Sequence, residues 1–594
     1  MYVRTVQVRG SGDTVYTYVR LVEGYREDGK NKQRVVLNLG RKDLLAPHVE
    51  DLVRVLTGDT PRGGRVEDVE ALAAWDWGPV LVLRHLWQQL DLDNILDRLE
   101  PRRYRRDGEP IPLADRSFVL VANRLICPGS EHGLARWLET DFVCDRRGRR
   151  WKPQWRDDEQ RRGSRCPRVR VEHRQLQRWY RTLDQLHTLK ADIEVEVYRH
   201  LRDLFSLEVD LALYDLTSTY FEGQGPAELA THGYSRDNKP RKRQVLVGVV
   251  LVQGWPLAHH VFRGNQRDAK TVAQVLEDLE KRFKIRRLIF VGDRGMVTTV
   301  NLELLRERNQ GYVVGLNRRR NAKTCEYIEQ VTGEWAECPV GITAAEKATP
   351  PRTRVQEVAT TQQEGVRVFV VESEERLAYE RAERLKAMKR VREDLDKLQR
   401  RVENGRLKAP EKVGAAAARI LARNHGQRYY AWEYEDGTFR YFEHPVNLER
   451  EKTYEGKYVI QTEEPHLSPV EAVQIYKSLS EVEMAFRNLK DVIEMRPIYH
   501  QTAARVEAHI FVAALAFLLQ RALDRKLKAA GLDISPTQAL QALRSIRVVD
   551  LDLGNGQTKR TVTRGSVRCL PILRALEITD LEPTAPPVGD SDVM

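Results

Sequence analysis

The alternation of apolar and polar positions divides the chain into segments with different predicted secondary structure. Residues 1–60 alternate apolar and polar positions, as in 14–22 and 33–40, around polar turns, which predicts a small β module. Residues 61–205 become helical in pattern, because apolar side chains recur at spacings of three and four in 77–99 and 113–138. We therefore expect a helical domain to follow the β module.

Residues 206–317 change to short β-rich runs separated by helical stretches. The predicted strands lie near 211–215, 244–252, 257–262, 288–293 and 312–316, and the predicted helices near 269–283 and 300–308. Apolar runs with few charges indicate a sheet covered on both faces, that is, a multidomain α/β protein. The order of three strands, a helix, a strand, a helix and a strand resembles an RNase H-like core, a mixed sheet with flanking helices.

Residues 318–450 do not continue that pattern and predict an inserted β-rich plus helical subdomain. A strand near 366–372 precedes a charged helix with apolar residues at near-heptad spacing, and an aromatic hairpin turns at Asp436-Gly437. That helix either packs within its own subunit or pairs two copies. Residues 451–530 return to a strand at 457–462 and a long helical region, which predicts the second part of the core. Residues 531–594 form a C-terminal region and tail.

Composition excludes several classes of protein. A chain of 594 residues with 41% hydrophobic and 31% charged residues is typical of a multidomain globular protein. The net charge of +12 is consistent with a polyanionic partner. The six cysteines lack metal-ligand spacing, and the longest apolar run, 510–519, is too short to cross a bilayer. We therefore expect a reduced, cytoplasmic protein with no membrane role.

An arginine-dense segment lies inside the predicted helical domain. It contains Arg146, Arg147, Arg149 and Arg150, followed by further arginines with tryptophans between them. Arginine binds phosphate and aromatic rings stack on bases, so this mixture predicts DNA contact. The alternative is a solvated loop.

Two aspartates stand in settings that suit metal binding. Asp215 lies within an apolar run, where a charged side chain is costly unless a cation compensates it. Asp293 follows a predicted strand, and the carboxyl ends of strands in α/β sheets are where ligands gather. Each aspartate alone is also compatible with a structural role as a turn cap.

A third carboxylate lies on a predicted helix over 475–490. Tyr476, Glu483 and Lys490 are each seven residues apart, which places them on one stripe of a single helix. Val482, Phe486, Leu489 and Ile493 form a separate apolar stripe that should face the core. Exposed helix charges without a function are the alternative.

These motifs, in this order, resemble the insertion-sequence-four group of bacterial DDE transposases over about residues 1–525. Around the third carboxylate that group carries a tyrosine, an arginine, a glutamate and a lysine, of which Tyr476, Glu483 and Lys490 match. Leu479 occupies the arginine position, so Lys477 or Arg487 would have to supply that phosphate contact. Further similar stretches lie at 214–223, 264–271, 291–296 and 496–502.

The resemblance implies an enzyme that binds the ends of an insertion sequence, cleaves them and joins them to a target. Asp215, Asp293 and Glu483 would be the catalytic carboxylates and would hold Mg²⁺ or Mn²⁺, as two ions. Tyr476 and Lys490 would contact the backbone of double-stranded DNA, Trp432 of the insertion would hold a flipped base, and a homodimer would bring two ends together. The alternative for Trp432 is an ordinary hairpin aromatic that packs on a sheet. A nuclease without strand transfer, and a DNA-binding derivative with a defunct site, remain the alternatives.

Overall fold

The structure is a computed structural model of the whole chain. It describes residues 1–9, 15–27, 29–45, 48–49, 53, 69–101, 111–153, 155–156, 170–171, 173–205, 211–285, 287–292, 296, 298–316, 322–339, 351–358, 365–423, 425–553 and 558–583. By contacts the chain forms two compact units. The first consists of Met1–Gly78, Leu543–Val567 and Asp580–Glu582, and the second contains the remainder.

The first residues form an antiparallel three-stranded meander. Its strands are β1 (Tyr2–Arg9), β2 (Val15–Glu27) and β3 (Lys30–Arg41), in the order β1-β2-β3. A short helix, α1 (Lys42–Leu45), packs on β2 and β3. The strand β4 (Glu70–Asp76) follows. The alternating residues thus form the strands that their pattern predicts.

A group of helices follows. These are α2 (Gly78–Gln89), α3 (Leu92–Leu99), α4 (Leu113–Ile126), α5 (Leu134–Thr140) and the long α6 (His173–Phe205), with the two-residue strands β5 (Trp155–Arg156) and β6 (Arg170–Val171) between the last two. Every residue of α4 is buried. The helical spacing of apolar residues therefore reflects a packed core in this region.

A nine-stranded sheet is the centre of the second unit. It starts with β7 (Leu211–Tyr220), β8 (Gln244–Val252) and β9 (Trp255–Arg263), which pair antiparallel. After α7 (Val272–Lys281) comes β10 (Ile289–Gly292), and after α8 (Thr299–Glu307) comes β11 (Gly311–Gly315). β10 lies parallel to both β7 and β11. The predicted order of strands and helices in 211–316 is confirmed.

The sheet continues into the segment that was expected to be an insertion. After α9 (Ala322–Glu329), the strands β12 (Ala336–Glu337), β13 (Thr353–Val358) and β14 (Arg367–Ser373) join the same sheet. They are attached through β17 (Lys457–Thr462), which pairs with β14 on one side and β11 on the other. The full strand order is β12-β13-β14-β17-β11-β10-β7-β8-β9.

A separate helical and hairpin cluster lies between β14 and β17. It comprises α10 (Glu374–Glu403), α11 (Pro410–Arg423), the hairpin β15 (Tyr430–Glu435) and β16 (Thr438–Glu443), and α12 (Pro445–Tyr454). Met388, Leu395, Leu398 and Val402 of the near-heptad set are buried against α11 and the hairpin, whereas Leu385 is exposed. The stripe therefore packs within its own subunit. The cluster leaves the sheet beside the place where it returns, because Glu372 is the register partner of Lys457.

The remaining elements cover the sheet and complete the first unit. They are α13 (Pro469–Lys477), α14 (Leu479–Arg487), a π-helical turn at Asn488–Val492, α15 (Ala503–Ala529) and α16 (Pro536–Leu543), then β18 (Arg547–Asp552), β19 (Thr558–Val562) and α17 (Cys569–Ala575). β18 pairs with both β19 and β4.

The helix α15 is long and apolar enough, by length and composition, to cross a membrane. However, 83% of its most apolar window is buried inside the protein, where it packs on α4, α6 and β9. This burial is typical of the central helix of a globular core.

The two faces of the sheet are covered by different helices. Ala212, Tyr214 and Leu216 of β7 belong to a core that includes residues of α7 and α8. The other face of β7 carries Leu213 and Asp215, since side chains alternate along a strand. Val249, the partner of Asp215, lines a small cavity with Phe511 of α15, so Asp215 lies on the face that α15 covers.

Candidate active site

Asp215 lies in the middle of β7, opposite Val249 of β8. Its side chain is half-buried, and its carboxylate Oδ1 accepts a hydrogen bond of 2.7 Å from the backbone N–H of Leu216. Its neighbours along the strand, Tyr214 and Leu216, are buried. Partial exposure keeps the carboxylate within reach of a ligand, while the rigid strand fixes its position.

The strand that precedes the second predicted carboxylate runs beside β7. Val291 of β10 is the parallel partner of Leu213. Asp293 itself lies outside the described residues. In the sequence it follows Val291 by two positions, as Asp215 follows Leu213. The described part of β10 thus ends at Gly292, beside the strand of Asp215.

The helix that carries Glu483 packs against β7. Val482, Ala485 and Phe486 of α14 are buried, and Glu483 is exposed between them. The predicted apolar stripe of Val482, Phe486, Leu489 and Ile493 is confirmed, since all four side chains are buried. Within the described part of the chain Glu483 forms no ion pair, so its carboxylate is open to a ligand.

The prediction of one continuous helix over 475–490 is wrong. A turn at Ser478 separates α13 from α14, and the residues after Arg487 form a π-helical turn. The Ser478 hydroxyl donates to the carbonyl of Ile475, 2.5 Å away, in competition with the helical hydrogen bonds. Tyr476, Glu483 and Lys490 therefore lie on three successive elements and do not share one stripe of one helix.

Tyr476 lies over the end of β11. A Cβ atom at Gly315 would be 2.8 Å from the ring atom Cζ of Tyr476, so only glycine leaves room for this ring. The centre of the Tyr458 ring, on the neighbouring strand β17, is 5.8 Å away. Tyr476 is half-buried in this position.

Lys490 is bound to a carboxylate that the sequence did not suggest. Its Nζ donates to Oδ1 of Asp237 over 2.8 Å, and its side chain is only 11% exposed. Burial lowers the pKa of Lys490 below its ordinary value, although Asp237 acts in the opposite direction. The guanidinium of Arg496 binds the same oxygen, Oδ1 of Asp237.

Asp237 has no counterpart among the predicted site residues, because it lies in a polar, basic stretch typical of an exposed loop. Its side chain is nevertheless only 4% exposed. The other oxygen, Oδ2, has no hydrogen-bond partner among the described residues. Asp237 thus connects the β7–β8 loop to the π-helical turn.

Lys477 and Arg487, which could supply the phosphate contact missing at Leu479, differ in how free their side chains are to bind DNA. Lys477 donates to the hydroxyl of Thr353 over 2.9 Å, which ties it to β13. Arg487 is exposed at the end of α14 and forms no ion pair with a described residue. Arg487 is therefore the more available phosphate ligand.

The arginines of the dense segment that the structure describes are mostly engaged within the protein, whereas those at 161–168 lie outside the described residues. Arg146 pairs with Asp97 at 2.7 Å and with Asp115 at 3.2 Å. Arg149 is buried and pairs with Asp145 at 2.8 Å. These contacts leave little of either guanidinium for DNA.

Arg147 and Arg150, the other two arginines between 146 and 150, differ in their exposure to solvent. Arg150 is buried and donates to the carbonyl of Leu138 over 3.2 Å. Arg147 is exposed. The prediction that the segment contacts DNA therefore fits Arg147 and is opposed by the burial of Arg149 and Arg150.

Trp432 packs inside the hairpin cluster. Its ring stacks on Phe439 at 6.0 Å, and it approaches Gly414 of α11. Trp432 is half-buried beside a hydrophobic cluster that includes Tyr430. These contacts match an ordinary hairpin aromatic.

A group of buried ionisable side chains that the sequence did not predict comprises Arg124 and His509 on helices and Glu131 and His500 on the segments just before α5 and α15. Glu131 is 3.4 Å from Nε2 of His500, and the guanidinium of Arg124 is 2.9 Å from Nδ1 of His509. They line a cavity of about 460 Å³. Burial and the charge of Arg124 lower the pKa of His509 to about 3, so His509 is neutral at neutral pH.

This group has the residue types of a metal site but not the free electron pairs. The ligand atoms of Glu131, His500 and His509 lie within 4.8 Å of one another. Arg124 can only donate, so Nδ1 of His509 accepts, and Nε2 donates to the carbonyl of Met495 over 3.0 Å. Both nitrogens of His509 are thus engaged, which excludes it as a metal ligand in this arrangement.

Comparisons with known proteins found two family models that match this chain. A family model described as a transposase DDE domain matches residues 211–519, and a model described as the IS1634 family transposase N-terminal domain matches residues 3–67. No curated protein matches the chain. A solved structure of the piggyBac transposase synaptic complex with hairpin DNA is similar over 79% of each chain, with 8% identity and a TM-score of 0.32, which is too weak to support an argument.

Proposed function

Because this chain belongs to the DDE transposases of bacterial insertion sequences, a class of polynucleotidyl transferase, we propose that it excises such an element and inserts it elsewhere. It would bind both ends of the element, hydrolyse a phosphodiester at each and join the freed ends to target DNA. The observation that carries this proposal is the packing of α14, with its exposed Glu483, against the strand of Asp215.

The proposed catalytic fold is an RNase H-like core. The strand order β9-β8-β7-β10-β11, with β7, β10 and β11 parallel and β8 antiparallel to its neighbours, supports it. Helices on both faces of such a sheet leave the ends of its strands as the place for a ligand. Strands β12–β14 and β17 would extend this core at one edge.

We propose that Asp215, Asp293 and Glu483 hold divalent cations, Mg²⁺ or Mn²⁺, as two ions. Carboxylate oxygens are the ligands that such ions prefer, and an exposed Glu483 on a helix that packs against the strand of the half-buried Asp215 suits that use. When bound, the ions would activate the attacking oxygen and stabilise the leaving one. The residues themselves would supply negative charge from a rigid strand and a packed helix.

The DNA backbone would be positioned by cations near these carboxylates. Arg487 is exposed and without an ion pair among the described residues, so it is the first candidate. Tyr476 and Lys490 keep their proposed places near the scissile phosphate. Lys490 would have to exchange or share its contact with Asp237 to bind a phosphate.

We propose further that two copies act together in the bacterial cytoplasm. An element has two ends that must be joined to one target, and a symmetric pair of subunits provides one site for each end. Assembly of a dimer on two end duplexes would support this part of the proposal.

The test compares two acidic residues on the same helix. The full chain is incubated with Mg²⁺ and DNA that carries both ends of the element, and strand cleavage and joining are measured on gels. Asp215→Asn and Glu483→Gln should each reduce cleavage by at least about a thousandfold, because they remove a proposed metal ligand. Glu481→Gln, two residues from Glu483 on α14, should retain activity within about threefold.

Near-normal cleavage by Asp215→Asn would contradict the proposal, as would an equal loss in Glu481→Gln. Cleavage without any joined product would instead identify a nuclease. DNA binding by each variant is measured in parallel, so that a loss of cleavage is attributed to chemistry only where binding is retained.

A further inference from the structure

The meander β1–β3 has two chemically different faces. The register pairs Arg4 with Arg20 and Tyr18 with Arg41, so these four side chains lie on one face. Alternation assigns every second residue of β1 and β2 to that face, and the register with β2, which shifts at two bulges, assigns the residues of β3. The set, which we call the arginine face, comprises Tyr2, Arg4, Val6, Val8, Tyr16, Tyr18, Arg20, Val22, Gly24, Arg26, Asn31, Gln33, Val35, Asn38 and Arg41.

The opposite face carries the acidic residues of the strands. Glu23 pairs there with Arg34 at 2.6 Å, and Glu27 pairs with Lys32 at 3.0 Å. The helix α1 also packs on this face, since Leu45 lies 3.8 Å from a Cβ built on Gly40. The two carboxylates of the opposite face thus each have a cationic partner, and this face is partly covered.

The arginine face has no acidic residue within its three strands. Asp43, just after β3, binds Arg41, whose guanidinium also lies 4.2 Å from the centre of the Tyr16 ring. In contrast, Arg4, Arg20 and Arg26 form no ion pair with a described residue. Three of the five cations of the paired strands that form no ion pair with a described residue, Arg4, Arg20 and Arg26, therefore lie on the arginine face, whereas Arg9 and Lys30 lie at strand ends on the opposite face.

Hydrogen bonds order this face across the sheet. Arg4 of β1 donates to the Gln33 side chain of β3 over 2.9 Å, and Gln33 also contacts the Tyr2 hydroxyl. Nε of Arg20 has no hydrogen-bond partner among the described residues. Tyr2 is 46% and Val35 is 52% exposed, so aromatic and apolar groups are open to a ligand between the cations.

We propose that the arginine face binds duplex DNA. Arginines without acidic partners complement a phosphate backbone, and the three strands span about 10 Å, comparable with the major groove of about 12 Å. Tyr2 and the exposed valines would contact sugars and thymine methyl groups. This inference rests on the proposed function, since it assigns the binding of DNA to the meander.

A second copy of the same face is a poorer occupant. Two arginine faces in contact would bring six uncompensated guanidinium groups together, which is repulsive. The arginine-dense segment at 146–150 also competes poorly for this role, because Arg146, Arg149 and Arg150 are engaged within the protein.

The test removes two positive charges from one face of the sheet or from the other. The full chain carries either Arg4→Gln with Arg20→Gln, or Lys32→Gln with Arg34→Gln, so that both variants lose two positive charges. Binding to a fluorescein-labelled duplex of random sequence, and to the ends of the element, is measured by anisotropy without divalent ions over a range of salt concentrations.

The arginine-face variant should bind at least about tenfold more weakly, and its dependence of log K on log salt should be shallower by about 0.9 for each lost phosphate contact. The opposite-face variant should change affinity less than about threefold. Unfolding of both variants is followed by circular dichroism. If Arg4→Gln with Arg20→Gln unfolds the sheet, Arg26→Gln at the end of β2 replaces it and should give a smaller loss in the same direction.

Equal effects of the two variants, or no effect of the first, would overturn the inference. A changed sedimentation mass with unchanged DNA affinity would also overturn it, by assigning the face to contact between copies. Cleavage is measured separately at saturating protein. A chain that binds through the arginine face but never cleaves would contradict the proposed function alone, whereas cleavage that persists without face-specific binding would contradict only this inference.

Discussion

At the scale of single residues, Gly315 shows how an absent side chain positions a functional one. The glycine at the end of β11 leaves the space that the Tyr476 ring occupies. Gly24 of β2 provides a contrast, since a Cβ atom built there has nothing within 4 Å. Only the first of these two strand glycines is required by packing.

We expect Gly315→Ala to destabilise the protein by about 1–3 kcal/mol, because the new methyl group would overlap the Tyr476 ring. Thermal and urea unfolding measure the change. In a chain that already carries Tyr476→Ala, the same substitution should cost much less, since the obstacle is gone. Gly24→Ala is the control and should not destabilise; an additive double variant would show that the clash is not the cause.

At the scale of elements, Asp237 joins two parts of the chain that are distant in sequence. The loop between β7 and β8 reaches the π-helical turn through the contact of Asp237 with Lys490, and the segment after that turn through Arg496. Asp268 forms a more exposed pair with Arg236 of the same loop at 2.9 Å. The two aspartates allow a buried and a partly exposed ion pair to be compared.

Asp237→Ala should destabilise the second unit by about 3 kcal/mol, because it leaves Lys490 largely buried without its counter-charge. Asp268→Ala should cost about 1 kcal/mol or less, since water screens a partly exposed pair. Urea unfolding of the full chain measures both. Equal losses of unfolding free energy in the two variants would show that the Asp237 ion pairs stabilise the protein no more than the partly exposed pair of Asp268.

The elements also show what the sequence does and does not determine. The strands of 211–316 and the stripe of Val482, Phe486, Leu489 and Ile493 are predictable, because burial on one face imposes a period on the sequence. The turn at Ser478 is not, since a serine fits a helix and only its hydrogen bond to Ile475 marks the break.

Charged residues are harder to interpret for a different reason. A dense run of arginines looks like a DNA-binding surface until its partners are known, and Asp97 and Asp115 lie far from Arg146 in the sequence. Asp237 shows the reverse case. Its polar neighbours in the sequence suggest an exposed loop, yet its side chain is buried in an ion pair. Long-range ion pairs leave no periodic signal, so neither outcome was visible beforehand.

At the scale of the whole molecule, three histidines with lowered pKa values make stability depend on pH. Burial, assisted by the charge of Lys190, lowers the pKa of His259 and His260 to about 4, although Asp278 raises that of His260. Burial also lowers the pKa of His509 to about 3. All three are neutral in the folded protein and regain an ordinary pKa near 6.5 on unfolding. The unfolded chain therefore binds more protons below pH 6.5.

We expect the free energy of unfolding to fall as the pH decreases from about 6.5 towards 4, by at most about 1.4 kcal/mol per pH unit for each histidine. Above pH 6.5 the contribution of these histidines is fully present. Thermal unfolding between pH 7.5 and 4.5, in matched ionic strength, measures it. Replacing the exposed His232 by Gln should leave the slope unchanged, whereas His259→Gln should reduce it; a flat profile in the unaltered protein would refute the expectation.

The pairing of Glu372 with Lys457 has a consequence for how this molecule can vary. In topological terms, the 83 or so residues between β14 and β17 are the loop of a single β-hairpin, whose stem is closed by the hydrogen bond from Ser373 N–H to the Gly456 carbonyl. The first and last residues of any segment that forms this loop therefore lie next to each other on paired strands. Its length and architecture can therefore change between related chains without shifting the register of the strands that carry the carboxylates.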